Sequence, residues 1–375
     1  MSKQSVNECL LLILFSLAGW IAVLCECRAE TLPEFPQNAI WSRDVSNAPL
    51  NANSDAMIDR LSLLGGWGYG KFQIDQSMHV VRVPANALGT TMASVVAAPS
   101  GYTDIDCEAL PGLQFPLPVG GAIEGHSDYS CDNVNDDCHL FVVMEGQKKL
   151  YESYQSNVNG SGQLESGCVI VWDLTKVYPP HGRGDQCTSA DAAGFPMAPL
   201  LFNADEVHTA SQVANGDIGH AIRFILPNAY MASLPPLPMH TKRQGLYVHP
   251  ASHGGAPSGP SDSVPYGSRL RLKANFDVNA FTANTAARVI LRSMQRYGIV
   301  LSDGGNIALT SEDDMFTTHK WSEFGFDENN VYMEQMLVGV HVTDFEVVET
   351  GPQILLTYDC VLVPDDFMFI DPFEY

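Results

Sequence analysis

The sequence runs to 375 residues, 45% apolar and 17% charged, with 20 basic residues against 43 acidic ones and a formal charge of −23. That length and apolar fraction bury a full core and exclude wholesale disorder. So acidic a balance excludes a nucleic-acid surface, which needs clustered Lys and Arg, and repels any strongly anionic polymer that lacks a basic cleft to receive it.

At the N-terminus, Lys3 precedes an apolar run from Leu10 to Leu24, and Cys27-Arg28-Ala29 offers a cleavage point before Glu30. Residues 1–29 read as a secretory signal peptide. The run is about 15 residues, short of the roughly 20 that a membrane span needs. Residues 30–375 are then expected to form a single globular domain, secreted or periplasmic, with no membrane association after cleavage.

Next come short elements. Asn53 or Ser54 can cap a helix through Leu61, and GGWGYG at Gly65–Gly70 reads as a turn. HLFVVMEGQKKLYESYQ reads as two strands joined near Gly146, CVIVWDL (168–174) as a buried strand, and HAIRFIL (220–226) as a strand stopped by Pro227. The stretch from Leu234 to Pro265 is a long Pro/Gly/Ser-rich loop. SRLRLKANFDV (268–278) alternates, placing Leu270 and Leu272 on one face and Arg269, Arg271 and Lys273 on the other, which should be solvated. A helix capped by Asn284 or Thr285 should run to Tyr297 before Gly298, carrying Arg288, Arg292 and Arg296, and another lies near Asn330–Leu337. The expected fold is mainly β, sandwich or barrel-like, with a few decorating helices.

Six cysteines follow the signal segment, an even number that favours three disulfides in an exported protein. Cys131 and Cys138 are the easiest pair; Cys168 with Cys187 and Cys107 with Cys360 would complete the set.

TSADAAGFP (188–196), GDIGHAIRF (216–224), GSRLRLKANFD (267–277), ILRSMQRYGIVLSDGGN (290–306), TDFEVVE (343–349) and the early WSRDVSNAPLNANSDAMI together resemble a largely uncharacterised family of secreted bacterial and fungal proteins. The resemblance covers nearly all of the mature chain and implies no settled reaction. Where that family has W-P-A-R-H, this chain reads VHPASH, so His253 matches while Ser252 stands in place of the arginine.

No G-x-S-x-G elbow, H-E-x-x-H helix or P-loop is present. The chemistry must come from less stereotyped groups. His220, His249, His253, His126 and His139 can serve as acid or base. Asp191 and Asp303 sit in turns where a carboxylate can face a cleft, Glu124 lies beside His126 in AIEGHSD, and glycoside hydrolysis needs two such groups. The expected site gathers His220, Asp303, Asp191 and Glu124 as catalytic residues, with Arg223, His253, Arg271, Lys273 and Asn306 on the substrate. The expected activity is that of a secreted glycoside hydrolase on a polysaccharide. One alternative is a lyase on a uronate-containing glycan, using Lys273 or Arg271 with His220 or Tyr297; another is a non-catalytic glycan-binding or surface protein. Trp41, Trp67, Trp172 and Trp321 could stack on sugar rings. No cofactor or metal is expected, although Asp132, Asn133, Asp136 and Asp137 could hold calcium.

Overall fold

Alternating apolar residues build four sheets in a computed structural model that describes residues 32–101, 106–108, 112–326 and 336–363, together with the backbone of two paired antiparallel strands, Leu10–Phe15 and Ile21–Glu26. The central sheet is mixed and six-stranded, in the order Phe345–Val347, Arg269–Leu272, Ile299–Gly304, Ile222–Leu226, Leu309–Glu312, Ile74–Met78. A second sheet orders Cys168–Asp173, Lys149–Tyr154, Leu140–Met144 and Val80–Val83. A third orders Gln114–Pro118, Thr90–Ala97, Leu164–Ser166 and Asn157–Val158. The fold is therefore mostly β with few helices, as the strand pattern implied.

The second sheet separates two cores through its period-two alternation. Val80, Phe141, Val143, Leu150, Ile170 and Trp172 join the main core with the central sheet and the helices. Val81, Val83, Leu140, Val142, Tyr151 and Val169 turn the other way onto Phe115 and Val95 of the third sheet.

Helices form where caps were expected. Ser54–Leu64 follows Asn53 and ends at Gly65, whose φ of 117° is left-handed. Thr285–Arg296 is capped by the Asn284 side chain, which accepts from the Ala287 N–H. The helix expected near Asn330–Leu337 lies outside the described residues, except for Met336 and Leu337, which are not helical. Among the described residues no helix is long and apolar enough to cross a membrane.

Three disulfides link the described cysteines: Cys131–Cys138, Cys107–Cys168 and Cys187–Cys360. The first is the expected pair. The other two replace Cys168–Cys187 and Cys107–Cys360, because Cys168, at the start of a strand of the second sheet, lies 5.4 Å (Cα–Cα) from Cys107, 61 residues earlier in the chain.

The basic strand face is the larger correction. Arg269 and Arg271 do lie opposite Leu270 and Leu272, but only 4% and 8% of each is exposed. The N-terminal segment crosses this face and takes both guanidinium groups onto its carbonyls. Arg269 donates to Tyr297, Ile40 and Arg43, and Arg271 donates to Val45, Ala48 and the Glu346 carboxylate. Lys273 donates to the Thr343 carbonyl. Arg288 holds the Thr282 and Asn279 carbonyls, Arg292 the Asn279 side chain, and Arg296 pairs with Asp44 and Asp217. These cations tie segments together rather than lining a cleft.

Candidate active site around Arg223

Alternation sends Ile222, Phe224 and Leu226 into the main core and turns Arg223 to the opposite face of the central sheet. Each neighbouring strand contributes a polar residue there. Arg223 donates to Thr310 Oγ1 at 2.7 Å and to Asp191 Oδ1 at 2.7 Å. Thr310 is in register with Asp75 on the edge strand.

Asp303 reaches this face through a β-bulge. Arg223 pairs with Val300 and Phe224 with Leu301, but Ile225 pairs with Asp303, so Ser302 is the extra residue. Without it Asp303 would point to the other face. With it, Asp303 Oδ2 lies 3.9 Å from the Arg223 nitrogen that also holds Asp191. Those two oxygens are therefore within about 6.6 Å of each other, the 2.7 and 3.9 Å laid end to end. Gly304 follows for a steric reason, since a Cβ there would sit 2.5 Å from the Asn228 amide.

Asp191 is fixed by its own turn. Its N–H donates to Ser189 Oγ, the Gly194 N–H donates to its carbonyl, and the Ala193 N–H donates to Ser302 of the central sheet. His253 Nδ1 lies 2.9 Å from the Ala192 carbonyl, so this histidine braces the turn.

The facing layer adds Glu124, His139 and Glu152. Ser77 Oγ donates to one Glu124 oxygen, and the other takes the His139 N–H and lies 2.8 Å from His139 Nδ1. Glu152 accepts from Trp172 Nε1 and from the Met197 and Ala198 N–H groups. Among the described residues, Arg223 Nε, Asp191 Oδ2 and His139 Nε2 are buried with no hydrogen-bond partner. Unsatisfied buried polar atoms are uncommon, and three of them belong to this one cluster.

Burial and charge push these groups apart. Burial raises the Asp191 carboxyl to about 7 against the pull of Arg223, and raises Glu152 to about 7 against its three donors. Burial also raises Asp303, more than Arg223 and the Gly304 N–H lower it, and raises Asp75 beside Glu124. For Glu124 burial acts in the same sense but loses to His139, whose charge and hydrogen bonds hold the carboxyl at about 2. Burial would lower His139, and Glu124 instead lifts it to about 9. Glu124 and His139 are thus an ion pair through the neutral range. Asp303 is 31% exposed and Glu124 17%, whereas Asp191 and Arg223 are inaccessible at 0% and 3%. The first pair is partly exposed to solvent, and the second pair is buried.

Of the expected site, the structure brings Glu124, Asp191, Asp303 and Arg223 together, with His253 behind the Asp191 turn. It places the others elsewhere. His220 precedes its strand, with Nδ1 at 2.8 Å from the Ala221 carbonyl and Nε2 at 3.7 Å from Glu206, and none of these partners belongs to the cluster. Burial would lower its pKa, and the Glu206 contact raises it instead. Arg271 and Lys273 are committed as described above. Asn306 is exposed, with its backbone against Gly68, where a Cβ would sit 2.1 Å from the Asn306 oxygen; GGWGYG is indeed turn structure. Trp41, Trp67, Trp172 and Trp321 are each no more than 9% exposed, so none offers a face to a sugar.

Asp75, Thr310 and Glu152 were missed by sequence reasoning. The available signal was an acidic or hydroxyl residue inside an otherwise apolar strand, as in KLYESY (149–154). In the CDNVNDDC loop, Asp132 accepts from Val134 and Asn135, Asn133 donates to the Gln155 carbonyl, and Asp137 accepts from Tyr154. Asp132 thus serves its own turn, while Asn133 and Asp137 join the loop to the strand end at Tyr154 and Gln155.

Comparison with family models, with curated proteins and with solved structures finds no match to this chain.

Proposed function

We propose that the mature chain is a secreted or periplasmic glycoside hydrolase, with Asp303 as general acid and Glu124 as nucleophile or base. The observation that carries this reading is the opposite displacement of two partly exposed carboxylates in one cluster. Burial raises Asp303 above the ordinary carboxylate value, the direction a proton donor needs, while Glu124 is held at about 2 and so stays ionised. Paired carboxylates with separated proton affinities are what glycosidic cleavage requires. Arg223 and Asp191 act as positioning residues, since the guanidinium orients Asp303 from below. Three disulfides support an oxidising compartment.

The substrate class follows from charge. A surface at −23, with its strand cations bound to backbone carbonyls, favours a neutral glycan over a uronate polymer. A lyase would need an open cation to neutralise the uronate. Arg271 and Lys273 are occupied, and Arg223 is buried on Asp191. The test is a panel of neutral and acidic polysaccharides incubated with the exported protein. New reducing ends without unsaturated products support hydrolysis. Unsaturated ends would show a lyase, and retention on a glycan column without cleavage would show a binding protein.

A further inference from the structure

A second cluster lies six residues before Asp191, in the turn HGRGD at 181–185. Gly182 and Gly184 have φ of 56° and 143°, and the Gly184 N–H donates to the His181 carbonyl, so the turn folds His181 and Asp185 toward each other. His249 approaches from the VHPASH loop, its Nε2 at 2.9 Å from Asp185 Oδ1 and its ring centroid 5.8 Å from that of His181. Ligating atoms of all three side chains lie within 4.8 Å of one another.

The surroundings hold this arrangement in place. The Tyr247 hydroxyl donates to the same Asp185 oxygen at 2.9 Å, and Gln186 donates to Tyr247 in turn. Arg183 donates to the Asp106 and Thr188 carbonyls. Val361 and Val363 donate to the carbonyls of Asp185 and Arg183, and Cys187 is bonded to Cys360. The side chains are accessible, at 32% for His249 and 46% for Asp185, so an ion could enter. A surface ion pair needs one histidine, whereas two imidazoles around one anchored carboxylate form the donor set of a borderline divalent cation. A carboxylate steadied by a hydroxyl is the outer support such sites commonly have.

We propose that His181, Asp185 and His249 bind one divalent transition-metal ion of the zinc class, leaving a further position open to water or ligand. The proposal does not depend on the hydrolase reading. Nitrogen donors disfavour calcium, which takes oxygen ligands. The other described cluster, His208, His319 and Glu323, is less suited. Its imidazoles stack at 3.5 Å and 7°, so their in-plane lone pairs run side by side instead of converging.

The test is calorimetric titration of zinc chloride into the chelator-treated exported protein. One-to-one saturable binding is expected, with no saturable heat from calcium chloride. His181→Ala and His249→Ala should each weaken binding about tenfold or more, while the His208→Ala/His319→Ala double variant binds as wild type. Asp185→Asn keeps an acceptor for Tyr247 and should show the same loss if an alanine variant misfolds. Cobalt added to the wild-type protein should give the visible bands of a nitrogen-ligated ion, removed by equimolar zinc. Absence of one-to-one binding, binding that survives His249→Ala or Asp185→Asn, or loss only in the double variant would overturn the proposal.

Discussion

Asp191→Asn isolates the electrostatics of the buried cluster. The Asp191 carboxyl is held at about 7, against an ordinary value of 3.8, because burial disfavours its charge more than Arg223 supports it. The folded state therefore keeps this proton to higher pH than the unfolded chain does. Its contribution to stability is fully present below about pH 4 and is lost as pH rises through about 7. A tenfold change in proton affinity is worth about 1.4 kcal/mol, and folding tightens the hold on this proton roughly a thousandfold, so the loss comes to about 4 kcal/mol. An asparagine cannot titrate, yet its oxygen still accepts from Arg223. Glu152, also at about 7, is present in both proteins and largely drops out of their difference. Urea unfolding of wild type and variant at successive pH values should show the variant gaining on wild type by about 4 kcal/mol from pH 4 to pH 8. Parallel stability curves would refute the reasoning, since Asp191 would then titrate alike in both states.

Two further outcomes follow from the corrected placements. His220→Ala should lower stability by about 1–3 kcal/mol through the lost Glu206 and Ala221 contacts while leaving turnover intact, checked by melting and activity side by side; loss of turnover without loss of stability would return His220 to the site. Peptide mapping under non-reducing conditions should recover Cys107–Cys168 and Cys187–Cys360. Replacing the latter pair by serine should cost about 2–5 kcal/mol, and a Cys107–Cys360 peptide would contradict the fold.

Local chemistry was legible in the chain. The Asn284 cap, the strands on either side of Gly146 and the short Cys131–Cys138 loop each depend on residues close in sequence. The alternation that set Arg269 and Arg271 opposite Leu270 and Leu272 was also correct. Its inference of solvation failed because the covering segment, around Ile40 to Ala48, lies more than 220 residues away in sequence. The site was half visible for the same reason. Glu124, Asp191 and Asp303 stood out as candidate carboxylates, but Asp303 lies within the strand Ile299–Gly304 rather than in a turn, and it reaches Arg223 through a bulge at Ser302 that counting residues does not reveal. Strand neighbours such as Asp75 and Thr310 become site residues only through sheet register.

The central claim is that Asp303 gives a proton and Glu124 acts as an anion, and turnover by Asp303→Asn and Glu124→Gln tests it most directly. On the glycan that the wild type cleaves, Asp303→Asn should lose about 10²–10⁴-fold in kcat, the span of general acid catalysis. It should nearly keep its rate on an aryl glycoside whose leaving group needs no proton, while Glu124→Gln loses both. Folded variants that cleave both substrates at wild-type rates would contradict the account.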